Sequence, residues 1–426
     1  MNIIIFEDEF YDNLSPLTLL KPTYDIRTGI FTNAERIGLI LKEKFKIFYH
    51  CRKILSDYIT EIKGNKTNNF EKNDSLFLNG RIVFKKNLLD YLINFNDSFI
   101  WKYDNIVLAV KLSNKNIRDI YPLIKPDNKC EFIPFSEIVN QLKLKILDNE
   151  TFKFYPEKDF YIINYSWDII KYFNSILNYD LELLEFKLNN KNQTDYKIIN
   201  PELVNISHSS IVMPYTVFDA SDGKIFINDE VLIEPFTYIK GPVYIGKKSI
   251  IKAGTKLYGP VSIGYNSRIA GEVSGTIFHS FVNKQHDGFI GNSYISEFVN
   301  LGADTVTSNL KNNYSLIKTR FNKNSIQHQT GLTFLGSIIG DHTKTGINTM
   351  LNTGSIIGIF ALIAGGGFPD KFIDSFTWYI QGKQPSRYKI DEALQTAKIV
   401  MERRQVDLIQ SYEKLIRNVY NLTVNS

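Results

Sequence analysis

Eight consecutive hexads decide the fold of this chain: INDEVL (227–232), IEPFTY (233–238), IKGPVY (239–244), IGKKSI (245–250), IKAGTK (251–256), LYGPVS (257–262), IGYNSR (263–268) and IAGEVS (269–274). An aliphatic residue leads each one. The fifth position is Val231, Thr237, Val243, Ser249, Thr255, Val261, Ser267 or Val273, always small or β-branched. An unbroken six-residue period of this kind is the signature of a parallel β-helix, expected here to be left-handed. Each hexad supplies one short strand and a corner. The lead side chain points inward, and the coils stack into one continuous core.

The period resumes at Phe289, Ile295 and Leu301, and again at Thr333, Ile339, Thr345, Leu351, Ile357 and Ile363. The intervals 269–289 and 301–333 do not fit multiples of six, so both predict loops that leave the coil. A β-helix has little irregular surface of its own, and such loops are where sites can be built. The first break carries His279, Lys284, Gln285, His286 and Asp287. The second carries Asn309 and runs to Thr330.

Residues 1–195 have a different grammar. Ile3–Phe6, Phe45–Tyr49, Leu76–Leu78 and Ile106–Val110 read as buried strands, and 33–44 and 167–184 as helices. Their alternation predicts an α/β domain, with ligands expected beyond the strand ends, after Phe6 and after Leu78. The expected order is therefore an α/β domain (1–195), a β-helix (196–370) and a C-terminal helical extension (371–426). In that extension 391–420 reads as one amphipathic helix.

Composition narrows the function classes. The 426 residues carry a net charge of +5 with no concentrated basic block, which gives no case for nucleic acid. The mean hydropathy of −0.16 and the lack of a long apolar run give no case for a membrane span. Two cysteines, Cys51 and Cys130, cannot form a disulfide scaffold, so a cytoplasmic setting is expected. His279, His286 and His342 lie near the breaks. A loop histidine can serve as a base near neutrality, and glycine-rich corners can present backbone donors to a developing oxyanion.

The runs Asn283-Lys284-Gln285-His286-Asp287-Gly288-Phe289-Ile290-Gly291-Asn292, Asn300-Leu301-Gly302-Ala303-Asp304, Ser308-Asn309-Leu310 and Lys344-Thr345-Gly346-Ile347-Asn348 closely resemble the bifunctional N-acetylglucosamine-1-phosphate uridyltransferase/glucosamine-1-phosphate acetyltransferase family. The resemblance implies that His286 is the base. It implies sugar-phosphate contacts at Phe289, Asn300 and Asn309, with Lys284 as a substitute for a family lysine missing near Gly275. It places acetyl-CoA at Ala303, Asp341 and Gly365, and leaves His279 and His342 structural. It further implies a homotrimer with sites between subunits. In the N-terminal domain, Pro16-Leu17-Thr18 and Lys21-Pro22 resemble the family's second nucleotide-loop element. By the same resemblance Pro16, Thr18, Arg27 and Asn79 would meet UTP, and Asp168 would hold magnesium if that domain is active. The loop Glu7-Asp8-Glu9-Phe10-Tyr11-Asp12-Asn13 departs from the family, having no glycine and four acids. The alternative expectation is a non-catalytic binding or regulatory subunit.

Overall fold

A computed structural model describes the chain apart from residues 65, 125–134, 143, 187–194, 323, 366 and 426. Cys130 falls outside the described residues. The N-terminal sheet has six strands in the order Lys46–His50, Asn2–Phe6, Ser75–Asn79, Ile106–Leu112, Phe99–Tyr103 and Ile146–Leu147. The first three run parallel, and Ile106–Leu112 is antiparallel to both of its neighbours. Asn2–Phe6 is buried along its whole length, as expected of a strand with both faces covered. The helix Asn33–Leu41 starts on a capping box between Thr32 and Glu35.

The hexads form the β-helix. Ile227 pairs with Ile245 and Ile245 with Ile263, and Ile233 pairs with Ile251 and Ile251 with Ile269. Every lead from Ile227 to Ile269 is fully buried, as are the fifth-position residues. Coils are present before the clear period, from Lys197–Ile199 onward, and after it, where Ile357 pairs with Ile373 and Ile363 with Tyr379. The β-helix therefore extends past the expected end at 370. In the second break the chain makes an antiparallel hairpin, Lys318–Thr319 with His328–Gln329, before rejoining the coil at Ser337.

One corner of the coil carries an aromatic ladder. Phe281 stacks on Phe298 at 4.6 Å, Phe298 on His342 at 5.0 Å, His342 on Phe360 at 4.5 Å and Phe360 on Phe376 at 5.0 Å. All five residues have φ between 53° and 60°. A left-handed residue costs roughly 1–2 kcal/mol in isolation, and ring stacking of about 0.5–1.5 kcal/mol per pair offsets much of that.

The C-terminal segment is two helices, Ile390–Glu402 and Gln410–Asn425, where the amphipathic pattern predicts one. The break lies at Gln405, which sits at φ 59° while the Val406 N–H bonds back to the Met401 carbonyl at 3.1 Å. That is a Schellman ending. The second helix covers the ladder: His342 Nε2 lies 3.1 Å from the Tyr412 hydroxyl. It also reaches the N-terminal domain, where Tyr412 stacks on Tyr58 at 4.7 Å and Lys414 pairs with Asp57 at 2.7 Å.

The N-terminal domain and β-helix share a polar seam. Lys21 donates to Asp341 at 2.7 Å and pairs with Glu297 at 3.0 Å. Arg27 Nε donates to the His279 carbonyl at 3.0 Å, and Ser262 donates to the Gly29 carbonyl at 2.8 Å.

Candidate active site

His286 stands exposed on the corner after Asn283–Lys284, between two faces of the coil. Lys284 fixes this corner from inside. It is the Cα partner of Ile269, so it occupies the interior column that aliphatic leads fill in neighbouring coils. The residue is 1% exposed, and Nζ donates to the His286 carbonyl at 2.7 Å and the Asp287 carbonyl at 3.2 Å. Burial pushes its pKa down to about 8, against the opposing pull of Asp287 and Asp304. The Asp304 N–H also donates to the Asp287 carbonyl, at 3.1 Å. Lys284 is therefore not placed as a ligand for a sugar phosphate. Its cation is spent on the loop backbone.

On one side of His286, Phe289 and Asn309 close over the same backbone. A Cβ at Gly291 would meet Phe289 Cζ at 2.5 Å and Asn309 Nδ2 at 2.6 Å, so any larger residue would displace one of these side chains. Asn309 donates to Asn292 at 2.8 Å. On the other side, Asn300 accepts from Asn283 at 2.6 Å. Ala303 is half-buried in the next coil, and its carbonyl accepts from the Asn348 N–H at 2.8 Å. The corner offers an exposed imidazole, with backbone polar groups in the adjacent coil.

Asp341 and Gly365 are not part of this group. Asp341, expected at acetyl-CoA, is fully buried in the domain seam and accepts from Lys21, from Ser296 Oγ at 2.5 Å and from the Glu297 N–H at 2.9 Å. Gly365 lies exposed against Gln381, one coil beyond. His279 and His342 are structural, as expected: His279 Nε2 lies 3.1 Å from the Asp25 carbonyl, and His342 belongs to the ladder.

In the N-terminal domain two of the four loop acids, Glu7 and Asp8, turn inward, while Asp12 is exposed. Glu7 is buried and pairs with Arg52, and Asp8 is buried and pairs with both nitrogens of the Arg81 fork, Nε at 2.7 Å and Nη2 at 2.6 Å. Asn79 donates to Asp8 at 2.8 Å and to the Val107 carbonyl at 2.8 Å. Thr18 donates to the Tyr11 carbonyl at 2.9 Å, and its own carbonyl accepts from Arg52. Pro16 is buried, and Arg27 turns to the β-helix. Asp168 accepts the N–H groups of Asn164 and Tyr165 at 2.9 Å each, which orders the turn before its helix. These residues do not fit a magnesium site: the Asp168 carboxylate is engaged with backbone, Glu7 and Asp8 with arginines. No group of three ligating side chains occurs among the described residues. Arg52 and Arg81, which organise this region, were not among the expected site residues. Only Arg81, directly after Leu78-Asn79-Gly80, carried a local signal.

Residues 3–187 match the family model described as sugar nucleotidyl transferase. A protein of Sulfurisphaera tokodaii named bifunctional sugar-1-phosphate nucleotidylyltransferase/acetyltransferase is 34% identical over 146 residues, 34% of this chain and 36% of that protein. A Methanocaldococcus jannaschii protein named bifunctional protein GlmU is 28% identical over 123 residues, 29% of this chain and 28% of that one. The chain thus spans about a third of the length of the curated relatives it matches. A putative acetyltransferase of Bacillus cereus, 16% identical, aligns with 50% of this chain and 99% of its own at a TM-score of 0.28. The chain joins a domain that matches the sugar nucleotidyl transferase model to a hexapeptide β-helix, the domain order of the family that the sequence resembles.

Proposed function

We propose that this nucleotidyltransferase-type domain joined to a β-helix is an acetyltransferase acting at His286, with acetyl-CoA as donor and the amine of glucosamine-1-phosphate or a related amino-sugar phosphate as acceptor. One observation carries the reading: an exposed imidazole on a corner whose backbone is locked from inside by Lys284. In this reading the amine nitrogen attacks the thioester carbonyl while His286 accepts its proton. Backbone N–H groups near Ala303 meet the oxyanion of the tetrahedral intermediate. The C–S bond then breaks, and the thiolate of CoA leaves with the proton returned by His286. Phe289, Asn300 and Asn309 hold the sugar, and a neighbouring subunit of a homotrimer closes the groove. The setting is cytoplasmic, in UDP-N-acetylglucosamine synthesis.

The test is thiol release from acetyl-CoA with glucosamine-1-phosphate. Release should depend on the sugar phosphate and fall by about 10²-fold or more in His286→Ala, with the oligomer intact by sedimentation. Near-normal release in that variant sinks the assignment. No release from the wild-type protein with any 2-amino sugar phosphate favours the non-catalytic binding-subunit alternative.

A second reading, uridylyl transfer from UTP by residues 3–187, is favoured by the family model that covers them. The paired Glu7–Arg52 and Asp8–Arg81 count against it. Pyrophosphate release from UTP and N-acetylglucosamine-1-phosphate with magnesium would support it.

A further inference from the structure

Four buried cations have acids beside them, Lys21 with Asp341, Arg36 with Asp180, Arg52 with Glu7 and Arg81 with Asp8, and two more, Lys284 and Arg27, donate to backbone carbonyls. One cluster of partly exposed cations gathers with no acid beside it. A cavity of about 490 Å³ lies between the end of the Ile390–Glu402 helix and the coil face that carries Asn283 and Asn300. Its lining includes Arg268, Lys344, Arg403 and Arg404, the amides of Asn283, Gln285 and Asn300, and no carboxylate.

None of these four cations has a salt-bridge partner among the described residues. Arg268 Nη1 is buried with no hydrogen-bond partner. Lys344 reaches only the His342 carbonyl, at 3.1 Å, and Arg404 only the Asn283 amide oxygen, at 3.3 Å. Burial pushes Lys344 down to about 8, and burial together with Arg403 lowers Arg268. Like charges gathered without a counter-charge are costly to hold. An anion between them removes that cost and satisfies the idle guanidinium donor, and a planar guanidinium fork matches phosphate oxygens in pairs. The volume lies within the range of small-molecule sites.

We infer that this cavity binds a phosphate-bearing small molecule, and that Arg268, Arg403 and Arg404 are specificity-determining residues of the neighbouring His286 corner, to which Gln285 connects it. The inference rests on the proposed acetyl transfer for its choice of ligands. The phosphate could belong to the sugar phosphate or to coenzyme A. Two of its cations come from the C-terminal hairpin, so the hairpin is part of the site.

Isothermal titration of the full chain tests this without requiring turnover. Glucosamine-1-phosphate, glucosamine, coenzyme A and pantetheine are titrated into the wild type, into the double variant R403Q/R404Q, and into Arg268→Gln and Arg268→Lys. Arg403 is exposed and Arg404 half-buried at a helix end, so the double variant retains the fold. The site stands if the double variant and Arg268→Gln each weaken one phosphorylated ligand at least tenfold, Arg268→Lys less, and the unphosphorylated partner is unaffected. Loss confined to glucosamine-1-phosphate makes the sugar phosphate the source, and loss confined to coenzyme A makes it the nucleotide end of the donor. Wild-type affinity for both ligands in both neutral variants overturns the inference, as does a wild type that binds neither. If His286→Ala abolishes turnover while these variants bind normally, the function survives and the site falls. If they bind weakly and no acetyl transfer is found, the reverse holds.

Discussion

Lys284 reaches from the interior column of the β-helix to the carbonyl of His286, 2.7 Å away. The lysine is a positioning residue for the corner. Lys284→Met would leave the His286 carbonyl without its donor and the Asp287 carbonyl with only the Asp304 N–H, and a shift of the imidazole by about 1 Å can cost about 10²-fold. We expect kcat to fall by about tenfold or more with the β-helix intact by circular dichroism. An unchanged kcat would show that the loop holds itself.

The same lysine gives a pH signature. Its folded pKa, about 8, lies below the usual 10.5. Between those values the unfolded chain holds a proton that the native corner has released, so the contribution of this group to stability rises with pH. Denaturant unfolding at pH 8 and pH 10 should show the wild type gaining relative to Lys284→Met. A constant difference between the two proteins would mean that the amine titrates normally.

His342 works in the opposite window. Burial holds its pKa well below the usual 6.5, with Lys344 adding to the effect. As pH falls below 6.5 the unfolded chain takes up a proton that the native ladder refuses, and stability falls. His342→Phe, which continues the Phe298 and Phe360 stack, should flatten the decline in unfolding midpoint between pH 7.5 and 5. An equal decline in both proteins would place the acid sensitivity elsewhere.

Lys21 bridges the two domains. Lys21→Met leaves Asp341, fully buried, without its cation, and breaking one partner of a buried pair costs about 3–5 kcal/mol. Urea unfolding should show that loss, and adding Asp341→Leu should recover part of it. A loss below about 1 kcal/mol would make the seam incidental to docking.

Asp168 separates a structural from a metal-binding role. Its carboxylate accepts two backbone N–H groups, and such charged bonds are worth about 1.5–3 kcal/mol each. Asp168→Ala should lower stability by at least about 1 kcal/mol in the absence of any metal, read from chemical denaturation in EDTA. Unchanged stability there would return Asp168 to the list of cation ligands.

Local periodicity made much of this molecule legible. The leads from Ile227 to Ile269 are the β-helix core, and Phe45–Tyr49 and 33–44 fall within one to three residues of the observed Lys46–His50 and Asn33–Leu41. The interior role of Lys284 was hidden because it follows a coil of fifteen residues, Ile269 to Lys284, where the period of six loses phase. The arginine pairs were hidden for another reason. Glu7 and Arg52 are 45 residues apart and Asp8 and Arg81 are 73 apart, and no spacing rule links charges over such distances. Without them the Glu7 and Asp8 carboxylates look open when they are paired. The split at Gln405 was missed because the apolar stripe continues through the turn.

The C-terminal hairpin also sets the order in which the protein can be finished during synthesis. Asp57 and Lys414 are 357 residues apart, and the Tyr58–Tyr412 stack spans nearly the same stretch. At about 5–20 residues per second, the first domain waits roughly 13–53 s after its last sheet strand emerges before the segment that covers it leaves the ribosome. The ladder corner of Phe298 and Phe360 is bare only for the last part of that interval, roughly 6–23 s from Phe298 to Tyr412, and those exposed rings are where a chaperone would find this nascent chain.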